Sequence, residues 1–177
     1  MPVTVKSITL WRKEIENQVG TLAQTLEPVS KAGAKLQVLM GYRYEGGGTK
    51  AAIELYPIAG KKVTAAAAEA GLSASSIPTL LVEGDDKPGL GYAIAQAIAG
   101  AGINMTFFVA QAIGRRFSAV LGFETEADAK TAGPLIKRAT ARQKTKAKRR
   151  NYLASRQTKG LPLLKAVLEF VISEAKA

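Results

Sequence analysis

The spacing of hydrophobic residues alternates along the chain between a period of two and a period near 3.6, which predicts an ordered series of strands and helices. Apolar or alternating runs predict strands over residues 3–11, 36–44, 49–56, 77–82, 103–113 and 117–124. Helical spacing predicts helices over residues 19–29, 61–70 and 90–101, and a fourth beginning at Thr125. Pro28 is expected to kink or end the first helix near Glu27. The predicted order is therefore strand, helix, strand, strand, helix, and this order occurs twice along the chain.

The best-defined stretch is residues 77–105, where an apolar strand passes through an acidic turn into an alanine-rich helix. Gly84-Asp85-Asp86 is a sequence that favours a tight turn. Asp86 is expected to cap the helix by accepting hydrogen bonds from its first N–H groups. Pro88 is expected in the first turn, because its fixed φ suits that position.

The two halves of the chain match at an offset of 69 residues. The matched positions are Glu14 and Glu83, Asn17 and Asp86, Gly20 and Gly89, Ala32 and Ala101, and Gly33 and Gly102. This internal repeat predicts two copies of an α+β unit, with helices on one face of an antiparallel sheet. The predicted division is residues 1–72, residues 73–141 and an extension over 142–177.

Each predicted copy has only three clear strands. The fourth is missing, unrecognised, or supplied by the neighbouring copy or by another chain. Unpaired sheet edges promote association between chains, so a homo-oligomer such as a dimer is expected.

The composition excludes several classes of enzyme. The chain of 177 residues has no cysteine and no histidine, which removes thiolate chemistry, the commonest general base and the commonest metal ligand. No catalytic residue, metal site or cofactor is expected. Gly46-Gly47-Gly48 lacks the Lys-Ser/Thr ending of a phosphate loop. No segment has the length of a membrane span and the first residues lack a secretory signal, so a cytoplasmic protein without membrane contact is expected.

The net charge of +11 is concentrated in one segment. Residues 1–136 contain 13 Lys and Arg against 12 Asp and Glu, whereas residues 137–159 contain ten basic residues and no acidic one. This segment favours either weak, salt-sensitive contact with nucleic acid or a solvated linker. Beyond it, apolar residues at helical spacing over 164–175 predict a C-terminal amphipathic helix.

Asp86-Lys87-Pro88-Gly89, followed by Leu90, an alanine-rich helix and Gly102-Ile103-Asn104-Met105, resembles the signature of the ACT domain family. The matching turn of the first copy, Asn17-Gln18-Val19-Gly20, lacks the aspartate and the proline and resembles the family less closely. The resemblance covers about residues 3–141. It implies two tandem ferredoxin-like βαββαβ units, which commonly bind amino acids and regulate metabolism.

The resemblance points to a ligand at the strand-to-helix turn formed by Asp86, Lys87, Pro88, Gly89 and Leu90. A helix N-terminus attracts a carboxylate, and glycine allows close approach. Asp86 either holds the ammonium group of an amino acid or only caps the helix, and Asn104 offers a donor and an acceptor. The expected function is a non-enzymatic amino-acid-binding regulatory protein. The alternative is a nucleic-acid-associated protein that uses residues 137–159.

Overall fold

The structure is a computed structural model that describes residues 3–44 and 48–141. Its elements are β1 (Thr4–Ile8), β2 (Trp11–Glu16), α1 (Thr21–Lys31), β3 (Val38–Arg43), β4 (Lys50–Tyr56), α2 (Lys61–Glu69), β5 (Ser73–Ala74), β6 (Thr79–Asp85), α3 (Leu90–Ala99), β7 (Met105–Ile113), β8 (Arg116–Phe123) and α4 (126–141). The expected C-terminal helix and most of the basic segment lie outside the described residues.

The strands form two antiparallel four-stranded sheets, which confirms the α+β class. Sheet 1 has the order β3-β4-β2-β5, and sheet 2 has the order β1-β6-β8-β7. Along the chain, sheet 1 and the two helices that pack on it are formed by β2, α1, β3, β4, α2 and β5 in succession. Sheet 2 and its two helices are formed by β6, α3, β7, β8 and α4, and β1 from the start of the chain completes the sheet.

The prediction of one strand over residues 3–11 is wrong, because this stretch crosses from one sheet to the other. β1 pairs with β6 in sheet 2, whereas β2 pairs with β4 in sheet 1. Only Thr9 and Leu10 connect them, and Leu10 is fully buried. The alternation of apolar residues does not reveal where the chain passes from one sheet to the other, because the residues before and after that point are both in strands. Sheet membership therefore does not follow the predicted division between residues 72 and 73.

Both fourth strands come from within the chain. In sheet 1 the fourth strand is β5, whose two residues pair with Trp11 and Arg12 and are too few to give a sequence pattern. In sheet 2 the fourth strand is β1. Missing strands are therefore not a reason to expect self-association.

Three clusters of buried apolar residues hold the layers together. One joins sheet 1 to α1 and α2, one joins sheet 2 to α3 and α4, and one lies between the sheets. The cluster of sheet 1, α1 and α2 includes Val29, Ile53, Leu55, Ala67 and Leu72. The cluster of sheet 2, α3 and α4 includes Val82, Ile94, Ile98, Leu121, Phe123 and Ile136. The cluster between the sheets includes Ile8, Leu10, Val38, Leu81 and Val120. Each sheet thus has one face covered by helices and one open face. The two open faces pack against each other over part of their area.

Helix α1 extends past the predicted end near Glu27. Pro28 lies inside the helix, which continues to Lys31. The last turn is held by burial of Val29, which is 1% exposed, and by the N–H of Ala32, which donates to the Pro28 carbonyl at 3.0 Å. Packing of an apolar face therefore outweighs the hydrogen bond that proline removes.

Candidate ligand-binding turns and the polar cluster of sheet 1

The Asp86 turn connects β6 to α3 and lies beside the β7–β8 hairpin. The N–H of Asp86 donates to the carbonyl of Arg115 at 2.9 Å. The residue at the N-cap of α3 is Gly89, with φ of 79°, and the first helical residue is Leu90. The predictions that Asp86 caps α3 and that Pro88 occupies its first turn are therefore wrong. A left-handed glycine ends the turn instead, a conformation that costs other residues free energy.

Helices α1 and α3 begin in the same way. Gly20 stands at the N-cap of α1 with φ of 89°, in the position that the repeat matches to Gly89. Neither helix has a side-chain cap or an acidic residue in its first turn. By contrast, α4 starts with Thr125, whose hydroxyl accepts a hydrogen bond from the N–H of Asp128 at 3.1 Å. The first turns of α1 and α3 thus contain no acidic residue, and the N-terminus of a helix favours an anionic group.

Asn104 lies at the other end of sheet 2 from the Asp86 turn. Asp85 pairs with Arg116 at one end of β8, and Met105, which follows Asn104, pairs with Phe123 at the opposite end. The ten residues of α3 run between the two ends and span roughly 15 Å. The structure therefore does not bring Asn104 to the turn formed by Asp86, Lys87, Pro88, Gly89 and Leu90.

A cleft of about 250 Å³ lies beside the turn of the first copy, between α1 and the strands of sheet 1. Asn17 and Gln18 contribute the polar wall. The remaining lining residues are Ile15, Leu22, Gly41, Tyr42, Arg43, Ala51, Ala52 and Ile53. The cleft thus has an apolar floor next to amide side chains, as small-molecule sites commonly do.

The size of Ala51 helps to explain why the first copy has this space. Ala51 pairs with Ile15 in sheet 1, and at the matching register of sheet 2 Phe117 pairs with Gly84. The Phe117 side chain is 7% exposed and packs into the core under α3 and α4. A phenyl ring therefore fills in sheet 2 the position that the smaller methyl group of Ala51 leaves open in sheet 1.

A polar cluster occupies the open face of sheet 1 and consists of Arg12, Glu14, Tyr42, Tyr44 and Glu54. Arg12 donates one hydrogen bond to Glu54 and one to Glu14, each at 3.2 Å, and a third to the Tyr44 hydroxyl. The Tyr42 hydroxyl donates to Glu54 at 3.3 Å, and that of Tyr44 to Glu14 at 3.0 Å. The guanidinium carbon also lies 5.8 Å from the centre of the Tyr44 ring, within cation–π range.

Glu54 is fully buried, and its Oε2 atom has no hydrogen-bond partner. Burial raises the pKa of Glu54, and the attraction of Arg12 opposes that rise without cancelling it. Burial, reinforced by the nearby Glu54 charge, raises the pKa of Tyr42 to about 12. Sequence reasoning missed this cluster. The available signal was that Arg12 and Glu54 interrupt strands whose matching residues in sheet 2, Leu81 and Val120, are apolar.

Comparison with known structures identifies the fold. Protein BT0572 from Bacteroides thetaiotaomicron is 13% identical, with a TM-score of 0.58 over 72% of this chain and 87% of that one. The regulatory subunit of aspartate kinase from Thermus thermophilus is 17% identical, with a TM-score of 0.54 over 78% of this chain and 97% of that one. Clostridium acetobutylicum aspartate kinase is 14% identical, with a TM-score of 0.51 over 78% of this chain but 34% of the enzyme.

These likenesses show that the chain has an ACT-like fold, as the resemblance around Asp86 implied. No protein-family model matches the sequence. A search of curated proteins likewise gives no match. Within residues 3–44 and 48–141, no helix is long and apolar enough to cross a membrane.

Proposed function

We propose that the protein is a non-enzymatic regulatory protein of the cytoplasm that binds a free amino acid. In this proposal the two sheets with their helices are two tandem ACT units, and the ligand lies at a strand-to-helix turn. The observation that carries the proposal is the shared geometry of Gly20 and Gly89, each of which opens a helix that has no side-chain cap. One structural neighbour is a regulatory subunit of aspartate kinase, and another is described as an allosteric enzyme, which supports a regulatory role.

The first copy offers the better room for the ligand. The cleft beside Asn17 and Gln18 measures about 250 Å³, slightly below the roughly 300–1,000 Å³ of pockets that hold drug-sized molecules, and so suits a small one. A ligand carboxylate would lie at the N-terminus of α1, and an apolar side chain would lie on Ile15 and Ile53. At the Asp86 turn, binding by Asp86, Lys87, Pro88, Gly89 and Leu90 stays a prediction.

Self-association into a dimer is part of the proposal. Its support is apolar surface on the edge strand β7, where Val109 is 48% exposed and Ile113 is 70% exposed. Pairing of two such edges would bury these residues and satisfy backbone groups of the edge. The alternative function, contact with nucleic acid through residues 137–159, concerns a segment of which the structure describes only residues 137–141, at the end of α4.

A thermal-shift screen against the free amino acids tests the proposal. An amino acid that binds only the folded state should add about 2.7 kcal/mol of stability at 100 times its dissociation constant. For a protein of this size, that corresponds to an increase in melting temperature of roughly 5–10 °C. If no amino acid raises the melting temperature, the proposed function is wrong.

Substitutions then locate the site. Ala51→Phe should fill the cleft of the first copy and abolish the ligand-induced increment, if the ligand lies there. Gly89→Ala should abolish it if the ligand lies at the second turn. Gly102→Ala is the matched control, because Gly102 also has a positive φ, of 71°, but lies at the opposite end of α3. Retention of the full increment in both Ala51→Phe and Gly89→Ala would exclude the two turns while leaving binding itself established.

A further inference from the structure

The polar cluster of sheet 1 contains two carboxylates but one guanidinium. Arg12 bridges them, with one terminal nitrogen 3.2 Å from Glu54 and the other 3.2 Å from Glu14. With both carboxylates ionised, the three side chains carry one unit of negative charge in excess. The two carboxylates differ sharply in environment, because the Glu14 side chain is 61% exposed and that of Glu54 is not exposed at all.

The buried carboxylate is incompletely satisfied. Its Oε1 atom accepts hydrogen bonds from Arg12 and Tyr42, but Oε2 has no partner. An ionised group in this position pays a desolvation cost that a single charged partner repays only in part. Uptake of a proton removes the charge and most of that cost. The environment of Glu54 thus favours the neutral form of its carboxyl group.

The two aromatic residues of the cluster contact different carboxylates, Tyr42 the buried one and Tyr44 the exposed one. The rings of Tyr42 and Tyr44 are 6.1 Å apart in an edge-to-face arrangement. The hydroxyl of Tyr42 is hydrogen-bonded to Glu54, and that of Tyr44 is hydrogen-bonded to both Arg12 and Glu14. The position of the Tyr44 ring therefore depends directly on where the guanidinium lies, and Tyr42 is linked to it through the contact between the two rings.

We propose that Glu54, Arg12 and Glu14 form a proton-operated switch on the open face of sheet 1. With Glu54 ionised, the guanidinium holds both carboxylates, with Tyr42 on the buried one and Tyr44 on the exposed one. With Glu54 protonated, the guanidinium loses its charged partner inside the sheet and pairs with Glu14 at the surface. Tyr42 and Tyr44 then move with it and uncover this part of the face.

The direction of the pH effect follows from the environment of Glu54. The groups that act on it directly are Arg12 from β2 and Tyr42 from β3. Glu14 and Tyr44 contact Arg12 in turn. Burial raises the pKa of Glu54 above its ordinary value of 4.5. The stabilisation that results from protonation of Glu54 is therefore fully present below about pH 4.5, and it is lost as the pH rises through the raised pKa. Acidification thus removes the cost of burying the ionised Glu54 side chain, while it releases Arg12 from the buried position.

The switch also lies close to the junction of the two sheets. Glu54 stands opposite Met40 in the register of β3 and β4, and Met40 packs against the core between the sheets. Arg12 is the second residue after the two-residue crossing from β1 to β2. Movement of Arg12 is thus placed to alter the packing of one sheet against the other.

Nuclear magnetic resonance on the full-length protein tests the switch. The carboxyl carbon of Glu54 and the ring signals of selectively labelled tyrosines are followed from pH 4 to pH 8. The expected result is that Glu54 titrates above 4.5 and that the signals of Tyr42 and Tyr44 shift with the same midpoint. Tyr92, which lies on α3, should not shift with that midpoint and serves as the internal reference.

Two variants complete the test. Glu54→Gln mimics the neutral side chain and should hold the signals of Tyr42 and Tyr44 at their low-pH positions throughout the range. Glu83→Gln, at the position of sheet 2 that matches Glu14, should leave the transition unchanged. The proposal is overturned if Glu54 titrates at or below 4.5, or if the tyrosine signals stay fixed while it titrates. The titrations of the unaltered protein decide the matter even if Glu54→Gln does not fold.

Discussion

Replacement of the Arg12–Glu54 pair by the residues of sheet 2 should reveal how strongly the two side chains depend on each other. The offset of 69 residues matches Arg12 to Leu81 and, by register, Glu54 to Val120. The test set is therefore Arg12→Leu, Glu54→Val and the double variant. Both positions have well-packed apolar counterparts in the same molecule, so the double variant introduces a pair that a sheet of this fold already accommodates.

The two single substitutions should differ in cost. Arg12→Leu leaves a buried carboxylate with only Tyr42 as a hydrogen-bond donor, and removal of one partner from a buried ion pair costs about 3–5 kcal/mol. Glu54→Val is milder, at about 1–3 kcal/mol, because Arg12 keeps Glu14 and Tyr44 as partners and its side chain is 20% exposed. The double variant should be neutral or up to about 4 kcal/mol more stable than the natural protein, since the desolvation of both charges is avoided.

Urea unfolding at pH 7.5, followed by fluorescence of the single tryptophan, gives these free energies. Trp11 is adjacent to Arg12 on β2 and reports on the strand concerned. The cost of Arg12→Leu should also shrink as the pH falls toward 4.5, because Glu54 then takes up a proton. Single substitutions that each cost under about 1 kcal/mol, or a double variant whose loss equals their sum, would refute a buried and coupled pair.

Further substitutions test the electrostatics and the packing. Because the pKa of Tyr42 is raised to about 12, stability should decline as the pH rises from about 10 through 12, and Tyr42→Phe should reduce that decline in alkaline unfolding experiments. A methyl group on Gly122 would clash with the ring of Phe107, so Gly122→Ala should cost about 1–3 kcal/mol in urea unfolding. Gly91→Ala, inside α3 with Phe108 at 4.0 Å, should instead stabilise by about 0.5–1 kcal/mol. Equal effects at the two glycines would show that packing at Phe107 does not decide the outcome.

Turn residues made much of the fold predictable from the sequence. Gly20 and Gly89 were matched by the repeat, and both adopt a left-handed conformation at a helix start. Gly33 and Gly102 were likewise matched, and both have positive φ after the helix end. Glycine is the residue that adopts this conformation without strain, so its spacing carries structural information even where other residues have changed.

Strand partners were less predictable, because they depend on contacts between residues distant in the sequence. The pattern of residues 3–11 indicates strand but does not indicate that Leu10 passes between two sheets. β5 pairs only two residues, which is too short for any periodicity. The cleft depends on the difference between Ala51 and Phe117 at matching registers, and the polar cluster depends on the approach of Arg12 to Glu54 across 42 positions of sequence. Only the assembled sheet reveals these relations.

The most direct test of the central claim is a titration of the isotopically labelled protein with the amino acid that gives the largest thermal shift, followed through its backbone amide signals. Binding at a strand-to-helix turn predicts saturable shifts concentrated around Asn17 to Leu22 and residues 41–43, or around Asp86 to Gly91. Signals at the far end of α3, including Asn104, should change little. The account is contradicted if no amide shifts at saturating ligand, or if the shifts are confined to residues remote from both turns.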